Sequence, residues 1–369
     1  MDERCQKVAK AIHDAGADCA VLTDFASVCY ATGYVSDLES GPSPFAGGPV
    51  TAIVSKTGDT FLILSNAEEG PAPRAAGVVA YEGFSSDRDP PREDLYVEGV
   101  LAAFADWGLG GVVAIEPTSL PFAVGDRLAT SIVRLVDVRA PLAKQRATKT
   151  AAEIESLRTT AQLADVGQEA ALRAVVAGQT EIEAFAAIRT AIECRAGERV
   201  QVVADLLSGT ERTAGAMGSP TGRTISDGDV IICDIVPRYG GYWGDSCNTI
   251  QLGDTTQRFQ ALYATVHRAM ETAREILGPG MAACDVDRVI RSIVMDAGYD
   301  LPLHLGHGIG CANFEYPLIV PQESTVLQPD MVLMIEPGAY AATIGGARLE
   351  WMFRITETGN EVLSTFDII

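Results

Sequence analysis

The sequence lacks the features that would make it a membrane, nucleic-acid or disulfide-built protein. No run of about 18 uncharged apolar residues occurs, so no membrane-spanning helix is expected. Basic residues are scarce: 28 Lys and Arg stand against 49 Asp and Glu, for a net charge of −21. Nucleic acids and anionic membrane surfaces both call for a basic patch, so neither is an expected partner. The eight cysteines contain no CxxC pair. Neither a thiolate zinc site nor a disulfide framework is expected in a chain of this length. The opening residues, Met1 to Gly16, are charged and amphipathic with no apolar signal segment, so a reducing cytoplasm is the expected setting. No repeat of solenoid period and no low-complexity tract is visible.

What is present is a chain of 369 residues, 47% apolar and 21% charged. That length and balance predict a globular protein of two domains. Residues 1–143 read as mixed α/β. Apolar positions at Val8, Ala11, Ile12 and Ala15 predict a helix over Glu3–Ala15, ended by Gly16. Asp18–Thr23 and Gly111–Ile115 predict short buried strands. Gly48–Val54 and Thr60–Leu64 predict a strand pair around a turn at 56–59. Leu95–Leu109 predicts a second helix, and Gly41–Pro49 a surface loop.

From 144 onward the pattern is α+β. The stretch 139–150 is basic, carries no acid, and reads as a linker into a helix. Thr150 with Glu153, and Thr180 with Glu183, are two capping boxes, each opening a helix. Gly178 is the expected end of the first, and Ile182, Phe185, Ile188 and Ile192 form the expected stripe of the second. Helices are also predicted over Gln257–Leu277 and Ala283–Ala297. Strands are predicted over Val230–Val236, Tyr242–Leu252, Val332–Glu336 and Arg348–Glu357.

The most informative feature is acid inside apolar strands. Asp234 interrupts the run Val230–Val236, where an unpaired carboxylate is costly unless neutralised, paired or bound to a metal. A hairpin turn centred on Gly240-Gly241 would set Asp245 opposite Val236. Asp234 and Asp245 would then be diagonal neighbours on one face, about 7–8 Å apart at Cα. A turn one residue longer would destroy that parity. Glu336 ends an apolar strand at a Pro-Gly turn, Glu350 opens another, and His307 sits among glycines in Leu305–Gly310. Singly, each has an ordinary explanation in a salt bridge or a turn. Together, four carboxylates at one place cannot all ionise without cations. Oxygen-rich ligation with one imidazole fits Mn, Co, Fe or Zn. Two such ions would polarise a substrate oxygen and generate a hydroxide nucleophile at neutral pH.

With these residues in place, the sequence resembles the pita-bread metallopeptidases: Xaa-Pro dipeptidases, aminopeptidase P, methionine aminopeptidase and creatinase. The resemblance covers nearly the whole chain, including Tyr30–Tyr34 in the first domain. It implies a creatinase-type α/β N-terminal domain (1–143) followed by a pita-bread α+β catalytic domain (144–369). It implies that Asp234, Asp245, His307, Glu336 and Glu350 hold two divalent ions, with Asp245 and Glu350 bridging and Glu336 as general base. A small-molecule or dipeptide substrate, cleavage of a C–N bond next to proline, and a homodimer are further implied.

The chain departs from the family at the histidines that assist catalysis. Met217 stands before Gly218-Ser219-Pro220-Thr221, Phe314 before Glu315-Tyr316-Pro317, and Leu303 four residues before His307. Trp351 replaces the aspartate that usually follows the last glutamate. His304 is the local candidate to take over proton transfer. Trp243, Trp351, Phe314 and Met217 are the candidate substrate-side residues, each tryptophan being either core or an aromatic wall. Arg348 is counted with them, though its place beside Glu350 also suits support of a metal ligand. Arg238 is either a solvated turn residue or a reader of a substrate carboxylate. The departures open an alternative: a member of the same fold acting as hydrolase or lyase on a small zwitterionic amide, amidine or sulfonium compound.

Overall fold

The computed structural model describes residues 2–68, 70–131 and 134–366. The chain divides into two compact units between Arg146 and Ala147.

The first unit is built on a six-stranded mixed sheet. Helix α1 (Glu3–Asp14) is capped by Asp2, and Gly16 follows it with φ +68°. Strand β1 (Cys19–Leu22) leads to α2 (Phe25–Thr32), whose start is capped by Asp24. Then come β2 (Thr51–Ser55), β3 (Thr60–Ser65), β4 (Gly77–Tyr81), α3 (Arg92–Asp106), β5 (Val112–Ile115), α4 (Phe122–Ser131) and β6 (Arg134–Asp137). The order across the sheet is β4-β3-β2-β1-β5-β6, with β2 antiparallel to both neighbours and β5 parallel to β1 and β6. The stripe 139–150, expected as a linker, instead carries α5 (Arg139–Ala147).

The second unit pairs two sheets, each backed by two helices. Helices α6 (Ala151–Ala174) and α7 (Glu181–Ala196) both begin in complete capping boxes. The end of α6 falls at Val175 rather than Gly178. The apolar stripe of α7 is Ala184, Ile188 and Ile192, while Ile182 is 47% exposed. These helices cover one face of β7 (Gln201–Ser208), β8 (Val230–Tyr239) and β10 (Cys247–Gln251), around a core that includes Leu206, Ile231, Cys233 and Ile235. The short α8 (Thr210–Ala214) lies between β7 and β8, and β9 (Tyr242–Trp243) forms the hairpin with β8.

The second sheet runs β12-β11-β13-β16-β17. Its strands are β11 (Gly306–Gly308), β12 (Glu315–Leu318), β13 (Val332–Ile335), β16 (Trp351–Ile355) and β17 (Asn360–Val362). Helices α9 (Gln257–Ile276) and α10 (Ala283–Asp296) back it through Leu262, Val266, Val286, Ile290, Leu333 and Phe353. A two-stranded ribbon of β14 (Gly338–Ala341) and β15 (Gly345–Arg348) completes the unit. Among the described residues no helix is long and apolar enough to cross a membrane.

Candidate metal centre

The hairpin has the register that the two glycines call for. Tyr239 pairs with Tyr242 and Arg238 with Trp243, and farther along Asp234 pairs with Cys247. Asp234, Val236, Trp243 and Asp245 therefore share the face turned away from α6 and α7. Residues 244–246 belong to neither strand, so the expected strand Tyr242–Leu252 is broken where Asp245 sits. Glu336 falls between β13 and β14, and Glu350 between β15 and β16. Three of the four carboxylates thus lie in gaps between strands.

The second sheet is brought to the first by a backbone pair: Cys247 N donates to Glu350 O (3.3 Å) and Glu350 N to Cys247 O (2.9 Å). His307 arrives on β11, held between β12 and β13. A Cβ at Gly306 would lie 2.2 Å from Met334 O, so glycine is needed for that strand to seat. His307 Nε2 then lies 3.6 Å from Glu336 Oε1, 3.8 Å from Asp245 Oδ2 and 3.9 Å from Glu350 Oε1. Single atoms of Asp245, His307 and Glu350 come within 4.8 Å of one another.

The electrostatics of the group are those of a site built for cations. Burial, with Asp234 and Glu336 beside it, pushes Asp245 well above the usual carboxylate range. Burial, then Asp245 and Glu336, do the same to Glu350. Burial raises Asp234 to about 6, although Arg348 pulls the other way. Burial also raises Glu336, but His304 beside it, with Arg348, outweighs that and holds this carboxyl below its ordinary value. Burial lowers His307, so its imidazole is neutral near neutral pH. Its Nδ1 lies 2.9 Å from Gly308 O, which only accepts, so Nδ1 carries the proton and the Nε2 lone pair is left facing carboxylate oxygens that also accept, an arrangement a cation would satisfy. Asp234 Oδ1, Asp245 Oδ1 and Glu336 Oε1 are buried without hydrogen-bond partners. Unpartnered acceptors and a correctly oriented imidazole fit divalent-ion ligation.

A pH dependence follows. In the metal-free protein these raised carboxyls hold protons that an unfolded chain has released. Their stabilising contribution is full below the ordinary aspartate value of 3.8 and, for Asp234, is lost as pH rises through about 6. Chelator-treated protein should melt lower at about pH 8 than at about pH 5, and an added divalent ion should raise Tm more at the higher pH. Thermal scans at both values test this, and an equal metal-induced rise at both would contradict it.

The remaining candidates divide. His304 Nδ1 stands 3.0 Å from Glu336 Oε1, within ion-pair reach but not aligned as a hydrogen bond. Phe314 lays its ring on His307 (centroids 4.1 Å, planes 32° apart) and meets His304 edge-on at 5.3 Å, while 56% exposed. Met217 is 66% exposed, one residue past Ala216, whose carbonyl accepts from Arg348 Nη1 at 2.8 Å. Trp243 is buried with its indole Nε1 unpartnered. Arg238 is buried too, its guanidinium 5.9 Å over the Trp243 ring, which removes the solvated-turn reading.

Trp351 and Arg348 are placed by other contacts. Trp351 follows Glu350 in extended chain, so its side chain takes the opposite face; it packs on the core beneath α9 and α10, 6.3 Å from Phe353. Arg348 is buried and committed to Asp234, to Asp205 Oδ2 at 3.1 Å and to Ala216 O. It braces a carboxylate instead of facing a ligand. Asp205, which lies directly opposite Asp234 in the ladder, was not singled out from the sequence. The same signal marks it, an acid inside the apolar run 202–207. The buried pair of Lys149 Nζ and Glu315 Oε2, 2.8 Å apart, was also missed.

A model of the creatinase/prolidase N-terminal domain matches residues 4–148, and one of metallopeptidase family M24 matches residues 155–357. The chain belongs to metallopeptidase family M24 and is a metal-dependent hydrolase. A putative dipeptidase of Bacillus subtilis, YkvY, is 28% identical over 98% of both chains. The Xaa-Pro dipeptidase of Pyrococcus furiosus is 33% identical over 59% of this chain and 63% of its own length. The prolidase of Pyrococcus horikoshii superposes with a TM-score of 0.82 at 24% identity, over 100% of this chain and 99% of its own, which establishes the fold.

Proposed function

We propose that the protein is an Xaa-Pro dipeptidase with two divalent ions held by Asp234, Asp245, His307, Glu336 and Glu350. The observation that carries this reading is the convergence of four carboxylates and a neutral imidazole in one buried site, with acceptor atoms left unpartnered. When bound, the ions supply Lewis-acid polarisation of the scissile carbonyl and a nucleophilic water. Asp245 and Glu350, both buried beside His307, would hold the ions together with it. Glu336, held below the ordinary carboxyl range by His304 and Arg348, accepts the proton of the attacking water. His304, next to Glu336 and partly open to solvent, passes that proton to the leaving imino nitrogen of proline. Phe314 covers the histidines and sheds water from the substrate side. The same reading places the enzyme in the cytoplasm as a homodimer, which light scattering on the purified protein checks.

The direct test is turnover of a panel of Xaa-Pro dipeptides after loading with Mn, Co, Fe or Zn, with zwitterionic amides, amidines and sulfonium compounds alongside. Cleavage confined to the second panel would replace this function. His304→Ala should lower kcat about 10²-fold or more on the dipeptides with KM nearly unchanged. A kcat within threefold of the parent would remove His304 from the mechanism.

A further inference from the structure

The segment 243–246, which carries Asp245, is under-supported by its own sheet. Gly244 N donates to Pro237 O at 2.7 Å, but Pro237 has no N–H to return the bond. Ile235 N to Ser246 O, at 2.8 Å, is the next contact along. Helix α6 supplies what the ladder lacks. Thr160 Oγ1 lies 3.0 Å from Trp243 O and 3.0 Å from Leu157 O in its own helix, so its one proton is shared between the two carbonyls. Gln168 Nε2 reaches Ser246 O at 3.0 Å, Ser246 Oγ at 3.0 Å and, on the neighbouring strand, Cys233 O at 3.1 Å. The two side chains stand eight residues apart, on one face of the helix. Between them the helix comes so close that a Cβ at Gly244 would lie 2.4 Å from Thr160 O. All of these groups are buried.

Cys233 precedes Asp234 and Ser246 follows Asp245. One amide therefore grips the backbone immediately behind both aspartates. We propose that Gln168 and Thr160 are positioning residues: helix α6, through them, sets the spacing of Asp234 and Asp245 and so the affinity of the centre for divalent ions. This rests on the reading of the two aspartates as metal ligands. Neither side chain need touch an ion or substrate. Groups that orient ligands from behind typically change metal affinity 10–100-fold when removed.

The test is calorimetric titration of chelator-treated full-length protein with Mn²⁺, alongside its metal-free Tm. Gln168→Met keeps the volume and deletes the donor; Thr160→Val does the same for the hydroxyl. Each should weaken Mn²⁺ binding about tenfold or more, while unfolding stays cooperative. Thr160→Ser, which restores the hydroxyl, should recover the parent affinity. Ile188→Val trims the core behind the same sheet without touching 243–246; it should lower Tm and leave Mn²⁺ affinity unchanged. Affinity within twofold of the parent in both Gln168→Met and Thr160→Val overturns the positioning role alone, as does an equal loss in Ile188→Val. A parent protein that binds no Mn²⁺, Co²⁺, Fe²⁺ or Zn²⁺ overturns the metal reading and this inference with it.

Discussion

Asp245→Asn and Glu350→Gln should each lower turnover of an Xaa-Pro dipeptide on the order of 10³-fold or more. The reasoning runs through charge. Under the proposed function each substitution would remove a ligand from a centre whose ions would lower the barrier by several kcal/mol, and each 1.36 kcal/mol is about a factor of ten. What separates this from simple damage is stability. Both carboxyls are buried beside like charges that push their pKa values well up. Removing one from the metal-free protein relieves repulsion, so the metal-free variants should melt no lower than the metal-free parent. The divalent ion that raises the Tm of the parent should then fail to raise theirs. Steady-state kinetics, metal content and paired melting curves check the three parts. A variant that keeps its bound metal and a tenth of its activity would take that residue out of the centre.

Lys149→Met carries the largest expected loss of stability. Lys149 and Glu315 side chains are 0% and 5% exposed and 2.8 Å apart. Deleting one partner of a buried ion pair typically costs about 3–5 kcal/mol. For a unit of this size that amounts to a fall in Tm of roughly 10 °C. Replacing Glu315 by Leu in the same protein should recover much of the loss, since two apolar side chains leave no stranded charge. Glu315 also accepts from Ala312 N at 3.1 Å, so recovery stops short of complete. Denaturant titration of the single and double variants measures this. A single variant within about 1 kcal/mol of the parent would mean that water reaches the pair.

The elements legible in the sequence were those with a period or a terminus signal. Both capping boxes, the Gly240-Gly241 hairpin and the strand pair β2–β3 stand where their residues call for them. Helix α2 gave no such sign because Ala26 to Thr32 is buried without a break, which leaves no stripe to read. The basic stretch before Thr150 hid α5, since charge marks solvent contact and not backbone state. At the site, acids in apolar runs led to Asp234 and Glu336, a carboxylate at a strand start led to Glu350, and the first signal would also have led to Asp205. Strand bounds failed at Asp245, in the gap 244–246, and at Glu350, which leaves its own strands for an isolated bridge to Cys247. The roles of Arg348 and Trp351 could not be read from spacing, because face and partner depend on a break that the sequence does not mark.

Four of the five candidate ligands, Asp245, His307, Glu336 and Glu350, are buried in the core, whereas Met217 is mostly exposed and Phe314 has one face on His307 and the other in water. Exchanging an exposed side chain costs the fold little, so the perimeter can be rewritten one residue at a time while the cage behind it is left intact. An architecture of that kind lets the rim be changed to suit a substrate without risking the foundation.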